Sequence, residues 1–154
     1  MEFERCILSE GADVIEIQGF VDASEAAYGA VMYCKCIRDA HVSIKLIASK
    51  SRVSPLKRII IPKLELCASV LSTKLVKRVI HALKLPIFHK YLWSDSMIVL
   101  SWIRKEQFLF KTFVANRVTQ TQDLTCIDDW RYIPSNENPA DLISRGLYPY
   151  KLLK

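Results

Sequence analysis

The fold is decided by the stretch Val14-Ile15-Glu16-Ile17-Gln18-Gly19-Phe20-Val21-Asp22-Ala23-Ser24. From Val14 to Val21 the residues are mostly strand formers with partial polar alternation, and the run ends at the turn-prone Asp22-Ala23-Ser24. We therefore predict a first strand that carries the carboxyl group of Asp22 at its end.

Two more strand-forming runs follow, at Tyr28–Ile37 and at Val42–Ala48. A charged turn, Arg38-Asp39-Ala40-His41, separates them. Because the spacing between the three runs is short, we predict an antiparallel three-stranded meander in the first third of the chain.

The middle of the chain has a helical period. Apolar residues recur every three or four positions from Pro62, which suits a first helical turn, until Pro86. This pattern predicts the longest helix and places Glu65 in its first turn. Since the helix is apolar nearly all round, it should be buried between a sheet and other helices. One side should face solvent, that of Lys74, Lys77 and Arg78.

Shorter elements complete the chain. We predict a strand at Phe88–Trp93, helices at Met97–Lys105 and within Lys111–Gln122, a strand at Trp130–Ile133 and a helix from Pro139. The resulting order, β-β-β-α-β-α-α-β-α, indicates an α/β domain.

The composition describes one packed domain with a basic centre. The chain has 154 residues, of which 51% are hydrophobic and 25% charged, which excludes a disordered chain. Its 22 basic and 16 acidic residues give a net charge of +6, which favours a polyanionic partner. Thirteen of the basic residues but only two of the acidic ones, Asp39 and Glu65, lie in residues 35–90. The basic character therefore lies in the middle of the sequence.

Several classes of protein are disfavoured. The five cysteines include no CxxC pair and lie near no His at zinc-ligand spacing, so neither a disulfide framework nor a zinc site is indicated. The first residues lack the features of a secretion signal, and no stretch reaches the roughly 20 apolar residues of a membrane span. We expect an intracellular, cytoplasmic protein with no membrane partner.

Four acids lie in apolar surroundings at the ends of predicted elements: Asp22, Glu65, Asp95 and Asp141. An unpaired buried carboxylate costs several kcal/mol, so something must compensate these charges. Mg²⁺ prefers oxygen ligands, and pairs of such ions promote phosphodiester hydrolysis. Asp22 and Asp95 would meet beyond the sheet if the first and fourth strands are parallel neighbours.

Each acid also has an ordinary structural interpretation. Asp95 could cap a helix, and Asp22 could be a turn residue after a strand. Glu65 and Asp141 could complement helix dipoles in first turns. The order and surroundings of all four together favour a metal site over these separate roles.

The sequence resembles the ribonuclease H domains of retroelements, and in particular those of LTR retrotransposon polyproteins of the Pao/BEL type. The resemblance runs from about Gly19 to Gly146. It rests on four ordered blocks: Phe20-Val21-Asp22-Ala23-Ser24, Pro62-Lys63-Leu64-Glu65-Leu66-Cys67-Ala68, Trp93-Ser94-Asp95-Ser96 and Asn138-Pro139-Ala140-Asp141-Leu142-Ile143-Ser144-Arg145-Gly146.

The resemblance implies a ribonuclease H-like fold, with a five-stranded mixed sheet, its first three strands antiparallel, and helices on both faces. We expect this domain at residues 14–148, after an acidic leader or truncated linker at 1–13 and before a C-terminal tail at 149–154. The resemblance also implies that the acids named above are catalytic and bind metal, namely Asp22, Glu65, Asp95 and Asp141. The implied cofactor is Mg²⁺, as two ions, with Mn²⁺ as a substitute.

The activity implied by the resemblance is hydrolysis of the RNA strand of an RNA/DNA hybrid, by a metal-dependent endonuclease that takes part in retrotransposon reverse transcription. The implied partners are the hybrid and an upstream reverse transcriptase domain, in the cytoplasm or in retroelement particles. The alternative is a catalytically silent retroelement remnant that at most binds nucleic acid. An integrase is disfavoured, because integrase-type sites place their Glu last.

Basic residues near two of the acids are candidate contacts to nucleic-acid phosphates. One set flanks the connection into the helix that carries Glu65 and comprises Lys50, Arg52, Lys57 and Arg58. The other surrounds the region after Asp95 and comprises Arg104, Lys105, Lys111 and Arg117.

Overall fold

The computed structural model describes residues 14–55, 59–84, 87, 89–105 and 111–144, with the backbone alone at 142 and 143. The predicted leader and tail, as well as Lys57 and Arg58, lie outside these residues. The predicted limits of the domain therefore stay predictions.

Five strands form one mixed sheet: β1 (Val14–Ala23), β2 (Ala27–Arg38), β3 (His41–Val53), β4 (His89–Ser94) and β5 (Trp130–Tyr132). Their order across the sheet is β3-β2-β1-β4-β5. The first three strands are antiparallel neighbours, whereas β1, β4 and β5 run parallel. The predicted meander and the predicted parallel pairing of the first and fourth strands are confirmed.

In the described part of the chain, four helices accompany the sheet: α1 (Ile61–Leu83), α2 (Met97–Ile103), α3 (Thr112–Leu124) and the single turn α4 (Asp141–Ser144). Short 3-10 turns precede β5, at Ile127–Asp129, and follow it, at Ser135–Glu137. This order agrees with the order predicted from the sequence.

Alternation along β1 sends its side chains to two different layers. Ile15, Ile17 and Val21 are buried in the main core together with residues of α1, α2 and α3. Phe20 points to the opposite face, where it packs near Val31 and Ala140, next to α4. Helices therefore lie on both faces of the sheet, as predicted, with the single turn α4 on the face opposite the main core.

The long helix α1 is buried as predicted, and its exposed side carries Lys74, Lys77 and Arg78. Its start differs from the prediction, because Ile61 precedes Pro62 in the first turn. Glu65 is thus the fifth helical residue, and the prediction that it lies in the first turn is wrong. Since dipole effects fall off within the first turn, the helix-dipole interpretation of Glu65 is weakened.

The last helix begins at Asp141, whereas the sequence predicted a start at Pro139. The cause is Asn138, whose Oδ1 accepts the backbone N–H of Ala140 at 3.0 Å. That bond holds Pro139-Ala140 in a turn ahead of the helix. Asp141 lies in the first turn, as predicted.

The described cysteines, Cys34, Cys36, Cys67 and Cys126, are free thiols. Among the described residues, we find no helix long and apolar enough to cross a membrane.

Gly19 lies where β1 crosses the core, and its lack of a side chain is required there. A Cβ atom at this position would lie 2.6 Å from Leu92 Cδ2 and 2.8 Å from Met32 Sδ, and both of these side chains are fully buried. We expect Gly19→Ala to lower the free energy of unfolding by about 1–3 kcal/mol, because the overpacked core must shift. Urea denaturation measures this change. The exposed Ser43→Ala on β3 is the control, and equal midpoints for both variants would contradict the prediction.

Candidate metal centre

Two parallel strands bring the first two acids together. In the β1–β4 pairing Val21 is opposite Ser94, so Asp22 and Asp95 are the next residues on neighbouring strands. Parallel strands end at the same edge of a sheet, which is where α/β proteins commonly place their sites. The predicted meeting of these two acids is therefore found.

Helix α1 adds the third acid. Leu64 and Leu66, on either side of Glu65, are both buried and fix this turn of the helix against the sheet. Oxygen atoms of Asp22, Glu65 and Asp95 all lie within 4.8 Å of one another. Asp22 is buried, whereas Glu65 and Asp95 are half-buried and keep the cluster open to solvent.

Burial and mutual repulsion disfavour ionisation of these carboxyl groups. Burial, followed by the charge of Asp95, raises the pKa of Asp22 to about 6. Burial also raises the pKa of Glu65 to about 7, although a hydrogen bond from Ser96 opposes the shift, while Asp95 and Asp22 add to it. A nearby cation would thus stabilise the ionised form of both carboxyl groups.

The fourth predicted acid lies outside this group of three. Asp141 is close enough that its charge contributes to the raised pKa of Asp22. The link between α4 and the cluster is Ser144, whose hydroxyl donates to Asp22 Oδ2 at 2.9 Å and whose carbonyl accepts from the Ser24 hydroxyl. The structure therefore brings three of the predicted acids together and places Asp141 near them.

Ser96, rather than Asp95, caps helix α2. Its Oγ accepts the backbone N–H of Val99 at 3.2 Å, and its side chain opposes the rise in the pKa of Glu65. The interpretation of Asp95 as a helix cap is thus removed, and its carboxylate stays free to face the cluster.

Asn138 is a residue of the site that the sequence pattern did not predict. Its Nδ2 donates to the Val21 carbonyl at 2.8 Å and to Asp95 Oδ2 at 3.3 Å. One buried amide thereby ties the loop before α4 to β1 and to an acid of the cluster. The signal in the sequence was the Asn-Pro pair, which is typical of a turn and says nothing about Asp95.

The donor set fits a divalent cation. In the described part of the chain, no Lys or Arg forms an ion pair with Asp22, Glu65 or Asp95. Three carboxylates within reach of one ion are hard oxygen ligands of the kind that Mg²⁺ and Mn²⁺ prefer. Basic side chains of the described residues therefore do not compensate the negative charges of these three acids.

The candidate phosphate contacts divide into three groups. Lys50, Arg52 and Arg117, from both predicted sets, line one pocket. Arg104, Lys105 and Lys111 are exposed and do not line it. Lys57 and Arg58 are outside the described residues.

Solved ribonucleases H have a similar fold at low sequence identity. RNase H1 from Halobacterium salinarum NRC-1 is 14% identical, with a TM-score of 0.51 over 83% of this chain and 93% of that one. The N-terminal RNase H domain of a Mycobacterium tuberculosis protein, solved as a fusion with maltose-binding protein, is 14% identical, with a TM-score of 0.53 over 86% of this chain and 91% of that one. These likenesses confirm the predicted ribonuclease H-like fold.

Sequence comparison identifies the family. No curated protein is similar enough in sequence to count as a match. Residues 1–96, well over half of the chain, match the family model described as the Pao retrotransposon-like RNaseH-like domain. The matched segment contains Asp22, Glu65 and Asp95, the three acids that meet in the structure. The chain therefore belongs to the family of Pao retrotransposon-like RNaseH-like domains.

Proposed function

We propose that this domain is a metal-dependent endonuclease that hydrolyses the RNA strand of RNA/DNA hybrids during retrotransposon reverse transcription. The observation that carries the proposal is the meeting of Asp22, Glu65 and Asp95 within 4.8 Å, at the edge of a ribonuclease H-like sheet. Membership of the family supports a nuclease of this kind.

Asp22, Glu65 and Asp95 would hold Mg²⁺, as two ions or with Mn²⁺ in its place, and Asp141 would be a fourth ligand. When bound, such ions lower the pKa of water for in-line attack and stabilise the leaving 3′ oxygen, so that the product carries a 5′ phosphate.

The protein's own groups orient the carboxylates. Ser144 holds Asp22 and Asn138 holds Asp95, each by a hydrogen bond, and Ser96 favours the ionised form of Glu65. Such partners fix the rotamers of ligands and strengthen metal binding. Basic residues near the cluster would hold phosphates, and contacts to 2′-hydroxyls along the minor groove would select RNA. We further propose an upstream reverse transcriptase domain as partner, acting in the cytoplasm or in retroelement particles.

The direct test is cleavage of an end-labelled RNA strand within a hybrid. We expect the wild type to cut it in Mg²⁺, to leave double-stranded DNA intact and to stop when EDTA is added. Asp95→Asn should lose cleavage, because it removes a ligand charge from the cluster. Asp128→Asn, at an exposed acid away from the cluster, is the matched control and should cut like the wild type.

Two results would refute catalysis by this chain. One is equal cleavage by the wild type and Asp95→Asn, which would point to a contaminating nuclease. The other is no cleavage by a folded wild type across the practical range of Mg²⁺ and salt. Hybrid binding without cleavage would favour the catalytically silent remnant instead.

A further inference from the structure

A concave feature outside the carboxylate cluster runs along α1. It is a pocket of about 580 Å³ between β3, α1 and α3. Among the described residues, five basic ones line it: Lys50 and Arg52 from β3, Lys74 and Arg78 from α1, and Arg117 from α3. From the sequence alone, Lys74 and Arg78 were predicted only to lie on the solvent side of a helix.

The positive charge of this pocket is uncompensated. No Asp or Glu is among the residues that line it, and no ion pair joins any of its five basic residues to an acid in the described part of the chain. Lys50 feels this crowding, since the charges of Arg52 and then Arg78 lower its pKa. Five cations facing one pocket repel one another, so an anion bound there would relieve that repulsion.

Other features of the pocket also suit phosphate groups. Asn116 and Gln120 line it and offer neutral hydrogen-bond donors. Arg117 is held in place, because its guanidinium stacks on the Phe113 ring at 3.6 Å and donates to the Phe113 carbonyl at 3.1 Å. A fixed guanidinium binds phosphate oxygens at a lower cost in side-chain entropy than a free one.

The pocket follows α1 away from the end of β1. At its near end, Tyr28 pairs with Ala23 on β1, next to Asp22. Along α1 it extends from Cys67, two residues after Glu65, to Arg78. At 1.5 Å per residue this is about 17 Å, which leaves room for more than one phosphate group of a strand.

We propose that this basic pocket binds the phosphates of one strand of the substrate at a distance from the bond that is cut, with Lys74 and Arg78 as its far contacts. The proposal rests on the proposed function for the identity of the strand. A nucleic-acid strand and inorganic polyphosphate both present a chain of phosphates, so the test must distinguish these two ligands.

The test measures hybrid binding by fluorescence anisotropy in EDTA, where cleavage cannot contribute. We expect the double variant Lys74→Gln/Arg78→Gln to bind an RNA/DNA hybrid about 10-fold more weakly near physiological salt. The slope of log K against log salt should fall by about 2, since two phosphate contacts are lost. Lys45→Gln/Lys77→Gln removes the same charge at exposed positions outside the pocket and should leave the slope near the wild-type value.

Equal losses of hybrid affinity and of salt slope in the two double variants would overturn the proposal. They would show only a general effect of positive charge. A second arm uses inorganic tripolyphosphate as competitor at equal phosphate concentration. We expect tripolyphosphate to displace the hybrid poorly. If tripolyphosphate instead binds more tightly than the hybrid, and this binding depends on Lys74 and Arg78, the nucleic-acid assignment is overturned.

Failure of the pocket proposal can be distinguished from failure of the proposed nuclease activity. A wild type that cleaves hybrids, together with a Lys74→Gln/Arg78→Gln variant that binds normally, defeats only the pocket. A wild type that binds through the pocket but never cleaves defeats only the proposed activity.

Discussion

We expect Glu65→Gln to lower the rate of hybrid cleavage by about 1000-fold or more and, at the same time, to stabilise the metal-free protein above neutral pH. The substitution keeps the shape of the side chain and an oxygen that can accept a hydrogen bond from Ser96. It removes only the charge. Loss of a ligand charge weakens a metal site, whereas in the empty cluster the same charge faces Asp22 and Asp95 and destabilises the fold.

The sign of the pH dependence follows from the raised pKa. Glu65 releases its proton near its ordinary pKa of 4.5 in the unfolded chain and near 7 in the folded one. Between these values the unfolded state binds fewer protons, so the free energy of unfolding falls as the pH rises through this window. Gln cannot ionise, and the variant should lack this part of the decline. Its gain at about pH 8 should be about 1–2 kcal/mol, allowing for solvent screening of a half-buried group.

Urea denaturation in EDTA at about pH 5 and about pH 8 measures the effect, alongside cleavage in Mg²⁺. The exposed Glu25→Gln, on the turn between β1 and β2, is the control for loss of an acid. A Glu65→Gln variant that cuts like the wild type, or that is less stable than it at the higher pH, would contradict the assignment of Glu65 to a repulsive metal-binding cluster.

The parts of the fold that could be predicted are those with a strong local period. The alternation in β1 and the apolar surface of α1 both reflect burial, which the residue pattern records directly. The strand β3 was predicted as Val42–Ala48 but extends to Val53. Most of its side chains are exposed at the edge of the sheet, so its added residues, Ser49 to Val53, show no apolar alternation. Pairing with β2, a contact distant in sequence, decides where it ends.

The acids of the site could be proposed from the sequence because they interrupt apolar segments. The residues that hydrogen-bond these acids could not be predicted in this way. Ser144 and Asn138 are ordinary polar residues of a turn and a short helix, and their roles exist only because the chain returns to the end of β1 more than 100 residues later. The basic pocket is a further case. Lys50 and Arg117 belong to separate predicted sets, and only the packing of α3 beside α1 and β3 brings them together.

Asn138→Ala is expected to reduce hybrid cleavage about 10- to 100-fold and to lower the free energy of unfolding by about 1–3 kcal/mol. The amide donates to the Val21 carbonyl and to Asp95 Oδ2 and accepts from Ala140, so its loss leaves buried groups without a partner. We assign Asn138 as a positioning residue, because it acts on the reaction through Asp95. The cleavage defect should therefore come with a higher Mg²⁺ concentration at half-maximal rate.

That Mg²⁺ midpoint separates positioning from simple stabilisation. A residue needed only for folding would, well below the melting temperature, leave both the midpoint and the rate unchanged, even if Asn138→Ala unfolds more easily in urea. The exposed Asn136→Ala, in the same loop, controls for loss of an amide and should match the wild type in all three measurements. If the two alanine variants show the same Mg²⁺ requirement and the same rate, Asn138 does not orient Asp95. If only Asn138→Ala shifts the midpoint, the hydrogen bond to Asp95 fixes a metal ligand. The loop before α4 would then orient a site that two strands and a helix have already brought together.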